Sequence, residues 1–234
     1  MNGPRGSDAK CVDTIPPAPV INGPLIRGLV GDHRVIDCTT RTIIRVLADR
    51  FDVVAGTGAV SVQAASPAGF DPLAGVETPT ISVMLHRIAP NAELRNAPQR
   101  VLADGRVARQ PLPLELLYTI SAWGVRTDTS ATRDAAAALE EQRLLGLVAQ
   151  TLYDHAELSG PALFEVPPTR VWADGDSIQL MLESDVDEAI RIWDSGENRY
   201  RLSLVYRARV VGIDSAVSSS ASRVREASVG VGSR

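Results

Sequence analysis

The side chains able to do chemistry are few, and their spacing suits none of the common reactions. His33, His86 and His155 lie far apart, with no H-x-x-x-H and no Cys–His pairing. A metal site needs ligands converging at short, regular intervals. Each of these histidines therefore reads as a surface or edge residue. Gly56-Thr57-Gly58 is a bare GxG without the third glycine or the strand–helix setting of a nucleotide loop. Neither a P-loop nor a G-x-S-x-G elbow occurs. Glu183, Asp185, Asp187 and Glu188 form an acidic cluster without the glycine and frame of a calcium loop. Acids in a helix's first turn favour the positive end of its dipole, which accounts for them without a ligand. No nucleophile, base and acid can be named together, so the expectation is a protein that is not an enzyme and needs no cofactor or metal.

Two polar sets remain as candidate contact residues. Arg199, Arg201, Arg207 and Arg209 fall on one face of a strand, opposite Tyr200, Leu202, Leu204, Tyr206, Ala208 and Val210. One reading is a solvated edge strand whose charge blocks aggregation. A second is a contact surface on which arginine forks meet the carboxylates of a neighbouring subunit. A phosphate-binding stripe fits less well, because no aromatic interleaves on that face. Asn91, Glu93, Arg95 and Asn96 form the other set. They read either as part of an inter-subunit contact or as a polar loop whose asparagines bond their own backbone.

Elements must hold these sets in place. Apolar positions at Val35-Ile36, Ile43-Ile44, Leu47 and Phe51 predict a helix over 34–51, with Asp32 placed to cap it. Residues 55–80 are loop-like, with Val60 and Val62 in a short strand. Residues 81–88 predict a strand with Ile81, Val83 and Leu85 on one face and Ser82 and His86 on the other. Apolar flanks around Asp104-Gly105 predict a hairpin over 100–109. Residues 114–123 fit a strand or a helix, and the Leu116, Tyr118, Ile120 alternation favours the strand. The stripe Leu144-Leu145, Val148 and Leu152 predicts a helix over 135–155. A strand over 177–182, a short helix over 184–193 capped by Ser184, and a long strand over 199–211 complete the set. Strands and helices without a βαβ repeat give an α+β fold: one domain, with a mixed, mainly antiparallel sheet packed against a few helices.

A chain of 234 residues suits one such domain, here 31–214, with tails at 1–30 and 215–234. With only 4% aromatics, the core must rest on Leu, Val, Ile and Ala. A net charge of −4 excludes a nucleic-acid partner bound by bulk positive field. Lys10 is the only lysine, which reflects either a coding bias or selection of arginine for paired contacts. Cys11 and Cys38 form no zinc spacing and read as reduced thiols. No signal-peptide h-region or membrane-length apolar run is present, so the expected place is the cytoplasm.

Five stretches taken in order carry a resemblance. Arg87, Ile88, Asn91, Arg95 and Asn96 match an R-I-x-x-N-x-x-x-R-N pattern at the end of a strand. Residues 111–118 match P-L-x-L-x-L-x-Y, residues 144–152 match L-L-G-x-x-x-Q-x-L, and residues 200–206 match Y-R-L-S-L-x-Y. A helix leading to an exposed loop precedes them, as 34–51 does. Over residues 33–214 the sequence resembles the cap, or tail-terminator, proteins of contractile injection systems, the phage-tail-like particles of bacteria. Residues 127–138 and the loop 55–79 depart from the family pattern. The resemblance implies a hexameric ring of identical subunits at the baseplate-distal end of tube and sheath. The ring would contact sheath and inner-tube proteins, end polymerisation and leave the cell only within a particle. An adaptor to cargo or envelope, or a baseplate or connector component, stands as the alternative.

Overall fold

The computed structural model describes residues 31–66, 76–94, 100–101, 106–108, 110–125, 131–167, 170–184, 193, 201–215 and 218–220. The reading of 1–30 as a tail lies outside these residues, as does most of that for 215–234.

Helix α1 (Val35–Ala55) buries Val35, Cys38, Ile43, Leu47 and Phe51, the three-and-four spacing that puts one stripe against a sheet. It runs four residues beyond the expected end. Asp32 lies two residues before the N-cap position, Arg34. Its Oδ1 accepts the Arg34 N–H at 2.8 Å, and its carboxylate also holds the Arg34 guanidinium. That guanidinium holds the Asp32 carboxyl below its usual range. The buried hydroxyls of Thr39 and Thr42 donate to the carbonyls of Val35 and Cys38, so neither costs an unmade hydrogen bond.

Cys38 is fully buried on this stripe, and desolvation pushes its thiol up to about 11. A thiol held neutral contributes stability that is present below the unfolded-state pKa and lost as pH rises toward 11. In a Cys11→Ser background at mild alkaline pH, Cys38 should react with a thiol reagent roughly a hundredfold more slowly in the native chain than in urea. Fast native labelling would show that α1 is not seated on the sheet.

The main sheet has the order β1-β2-β5-β8-β7-β6. Its strands are β1 (Ser61–Ala64), β2 (Thr80–Pro90), β5 (Leu112–Trp123), β6 (Glu157–Ser159), β7 (Ser177–Leu182) and β8 (Ser203–Ile213). Every neighbouring pair is antiparallel except β1 with β2, which is parallel. Helix α2 (Ala131–Asp154) lies with α1 on one face. It buries Leu144, Leu145, Val148 and Leu152 against Ile81, Leu116, Tyr118, Ile120, Ile178 and Tyr206. Thr40 of α1 and Tyr118 of β5 bridge helix and sheet through their hydroxyls at 3.0 Å. The fold is α+β, as expected. A second, three-stranded sheet places the expected hairpin, β3 (Arg100–Val101) and β4 (Arg106–Ala108), beside β9 (Ser218–Ser220).

Several expectations change. The helix over 135–155 starts at Ala131, so part of the 127–138 departure is a longer helix. Within the expected tail over 215–234, Ser218–Ser220 forms β9. Serine alone carries no strand signal; the pairing with β4 satisfies its backbone. β6 was not foreseen because three residues are too short for a period. The long strand begins at Ser203, not residue 199, and Leu202 is 48% exposed and off the core. Arg199, Tyr200 and the side chain of Val210 lie outside the described residues. So does the helix over 184–193, apart from Ser184, which has no helical assignment, and Trp193, which is helical and buried.

Candidate functional site

The sheet face turned away from the helices carries most of the polar candidates. Strand alternation puts Glu115, Leu117, Thr119, Ser121 and Trp123 of β5 on this face, because the even positions 114–122 fill the core. At the Trp123 end the face is closed. Ser82, Met84, Thr119, Ser121, Trp123, Trp193 and Val205 are all buried there. The hydroxyls are satisfied locally: Trp123 Nε1 donates to Ser82 Oγ at 2.8 Å, and Ser121 and Ser203 share a bond of 2.8 Å.

Toward the other end the face becomes a ladder of alternating charge. Register places Glu115 opposite Arg209 and Leu117 opposite Arg207. Arg207 reaches Glu183 at 2.7 Å on one side and Glu115 at 3.3 Å on the other. Arg209 reaches Glu115 at 3.4 Å and Glu93 at 3.6 Å. Glu115 and Glu183 are mostly buried, whereas Glu93 is 75% exposed. The ladder thus runs from a shielded end to one open to solvent.

This geometry corrects one reading of the arginine face. β8 is an inner strand between β5 and β7, so its arginines do not guard an edge. Their forks meet carboxylates of their own chain. A one-residue slip of β8 would turn Arg207 and Arg209 under the helices, so the ladder enforces register.

Arg201 stands apart from the other two. Its guanidinium lies 4.1 Å from the Trp123 ring centroid and donates to Glu141 Oε1 of α2 at 2.9 Å. The two side chains are 14% and 11% exposed. Glu141 Oε1 also accepts the Gly124 N–H at 3.2 Å. Gly124 is required here: a Cβ would sit 2.9 Å from the Ala137 carbonyl oxygen, and α2 could not approach. The cluster joins the end of β5 to α2.

Asn91 is 3% exposed, and its Oδ1 accepts the N–H groups of Glu93 at 2.9 Å and Leu94 at 3.3 Å. That is the local-turn reading. Glu93 is exposed and turned toward Arg209, while Arg95 and Asn96 lie outside the described residues.

The remaining candidates do not converge. His86 Nδ1 meets the buried Thr119 hydroxyl at 3.0 Å, and His155 Nδ1 meets the Thr151 carbonyl at 2.9 Å, on different elements. Gly56 and Gly58 close the turn from α1 into β1, with Gly58 N–H on Asp52 at 3.0 Å. Glu183 belongs to the ladder; Asp185, Asp187 and Glu188 lie outside the described residues. Among the described residues no group of three His, Cys, Asp or Glu side chains could hold a metal. None of their helices is long and apolar enough to cross a membrane.

Sequence reasoning missed Glu115, Glu141 and Trp123 as partners of the arginines. A lone acid inside the apolar run Leu114-Glu115-Leu116 was a usable signal, since it marks a face that must be paired. Glu141 gave none, because its partner lies 60 residues away in the chain.

The model of the Pvc16 N-terminal domain family matches residues 39–226. The chain belongs to this family. Two solved structures share its fold. One is the PVC sheath/tube terminator, in the extended state, of an extracellular contractile injection system: TM-score 0.55, 16% identity, covering 88% of this chain and 65% of that one. The other is the anti-feeding prophage cap, a tube-terminating cap: TM-score 0.51, 18% identity, covering 84% of this chain and 60% of that one. The chain therefore spans less than two thirds of the length of either. No curated protein matches the sequence. The match takes in all but the first turn of α1, the whole main sheet, α2 and the ladder.

Proposed function

We propose that this protein is a structural terminator subunit. It forms a homohexameric ring on the baseplate-distal end of the tube and sheath of a contractile injection system, where it ends polymerisation and anchors the last sheath layer. The observation that carries this reading is the family match over residues 39–226, joined to a fold shared with two terminators. A helical polymer always exposes an unfilled end, and a closed ring that fits that end without offering another stops growth. The work is done by complementary surfaces, with no bond broken and no cofactor used. Its partners are further copies of itself and the sheath and tube proteins, and it reaches the outside of a cell only as part of a particle.

Particles from cells lacking the gene should be overlong, ragged-ended or absent by electron microscopy, and complementation should restore uniform length. Particles of normal length with closed ends in such cells would sink the terminator reading.

A further inference from the structure

The main sheet ends in two edges that are unlike in position but alike in chemistry. At one end lies β1, Ser61-Val-Gln-Ala64, paired only with β2 among the described strands. At the other end β6 covers β7 from Ser177 to Gln179 and Ala156 just before it reaches Leu180, leaving Met181 and Leu182 without a strand partner on that side among the described residues. Soluble proteins usually protect such edges with charge, proline or a bulge. Neither of these two stretches carries any of the three, whereas β6 itself bears the exposed Glu157.

The backbone directions of the two edges match. Leu180 N–H points away from β8, to the Ala156 carbonyl at 2.7 Å, and Glu183 N–H points toward β8, to Val205 at 2.8 Å. Strand alternation then aims the Leu182 N–H and carbonyl outward, past the end of β6. On β1, Ser61 and Ala65 bond inward to β2, so the amides of Val62 and Ala64 face out. Counting through the sheet, β1 runs with β2 and β8, and β7 runs against them. A rotation axis lying along the strands would therefore bring β1 of one copy antiparallel to β7 of the next.

Side chains complete the match. Under the open end of β7 lies a largely apolar cavity of about 360 Å³ lined by Leu152, Tyr153, Ala156, Leu180, Leu182 and Tyr206. Tyr153 is 83% exposed and Leu182 55%. Val62 and Ala64 stand on the helix-facing side of β1, the same side as this cavity, because they pair with Ile81 and Val83 of the core.

We propose that successive copies in the ring join by adding β1 of one subunit to the open end of β7 in its neighbour. This contact rests on the ring reading above and names the surfaces that would make it. It is heterologous, since each copy presents a different edge to each neighbour, and such contacts form a ring when the rotation between neighbours closes. Strand addition supplies the backbone bonds and the cavity supplies the apolar burial.

The test is pairwise crosslinking in the full chain with Cys11→Ser. Gln63 and Met181 are exposed and lie on the same sheet face, so cysteines there leave the core intact. Chains carrying both Gln63→Cys and Met181→Cys, purified alone and in particles, are treated with a short bis-maleimide. The expected result is a ladder of covalent oligomers, with neither single substitution giving more than background. Assembled rings or particles that yield no ladder overturn the edge contact while leaving the ring standing. Dimers from Gln63→Cys alone also overturn it, since they would show like edges meeting. A wild-type chain that self-associates neither in solution nor in particles overturns the ring reading, and this contact with it.

Discussion

Arg201→Ala should destabilise the isolated chain by about 3 kcal/mol in urea unfolding, whatever it does to assembly. The guanidinium lies between an indole ring at 4.1 Å and a carboxylate at 2.9 Å, and neither ionic side chain is more than 14% exposed. Cutting one partner from a buried pair leaves the other charge shielded from water, at a cost of about 3–5 kcal/mol. A desolvated stack on tryptophan is worth about 2 kcal/mol, part of the same loss. Glu141→Gln should cost less, because an amide oxygen can still accept from Gly124 and Arg201. Arg201→Lys should recover only a fraction, since an ammonium lacks the planar fork and stacks poorly. A normal unfolding midpoint for Arg201→Ala, with assembly lost, would return Arg201 to a contact surface. The expected result makes it a joint between β5 and α2 inside the subunit.

That distinction marks how far the sequence could be read. Periodicity alone located α1, α2, β2, β5 and β7 to within a few residues, because each buries one regular stripe and regular stripes are visible in one dimension. It also separated the two faces of β2, with Ile81 and Val83 in the core and Ser82 and His86 opposite. What it could not give was strand order. The arginines of β8 looked like an edge because nothing in residues 199–211 says which strands flank them. Placed between β5 and β7, Arg207 meets Glu115 and Glu183 from both sides, and Arg209 meets Glu115 and Glu93. Pairing across a sheet depends on contacts far apart in the chain, and no local pattern records them. Asn91 shows the same limit at short range: its type fitted a contact and a turn equally, and only its burial decides.

The ladder and the sheet edges bear on the ring reading in different ways. The ladder fixes β5, β8 and β7 in register from within, so the frame that carries both open edges is set before any copy meets another. Of the ladder's described residues, Glu93 is the one that is mostly exposed, at 75%. A subunit built this way can present its edges in one fixed geometry, which a ring of defined size requires.

Gly212→Ala should be as severe as Arg201→Ala, although it removes no interaction at all. A Cβ on Gly212 would lie 2.5 Å from the Leu112 carbonyl oxygen, 2.6 Å from its carbon and 2.9 Å from Pro111 Cβ. The two nearest are backbone atoms of the adjacent strand, so no side chain can rotate away. The clash falls where β5 and β8 shift register between Leu112 and Leu114. Close by, the Asp214 N–H bonds the Gly31 carbonyl at 2.7 Å and ties the residues just before α1 to the end of β8. Overfilling a packed site costs about 1–3 kcal/mol when neighbours can yield, and here they are main chain, so the upper end applies. For a domain of this size, about 3 kcal/mol corresponds to a fall in Tm of roughly 6–12 °C. Gly212→Val should be worse still, whereas Gly146→Ala, on the helix where a Cβ meets nothing within 4 Å, should be neutral or stabilising. If Gly212→Ala melts with the wild type, β8 does not approach β5 this closely, and the registers beyond the bulge must be redrawn. Nothing in the sequence distinguishes Gly212 from Gly146, since both sit among apolar residues; the difference lies in what the fold brings against each.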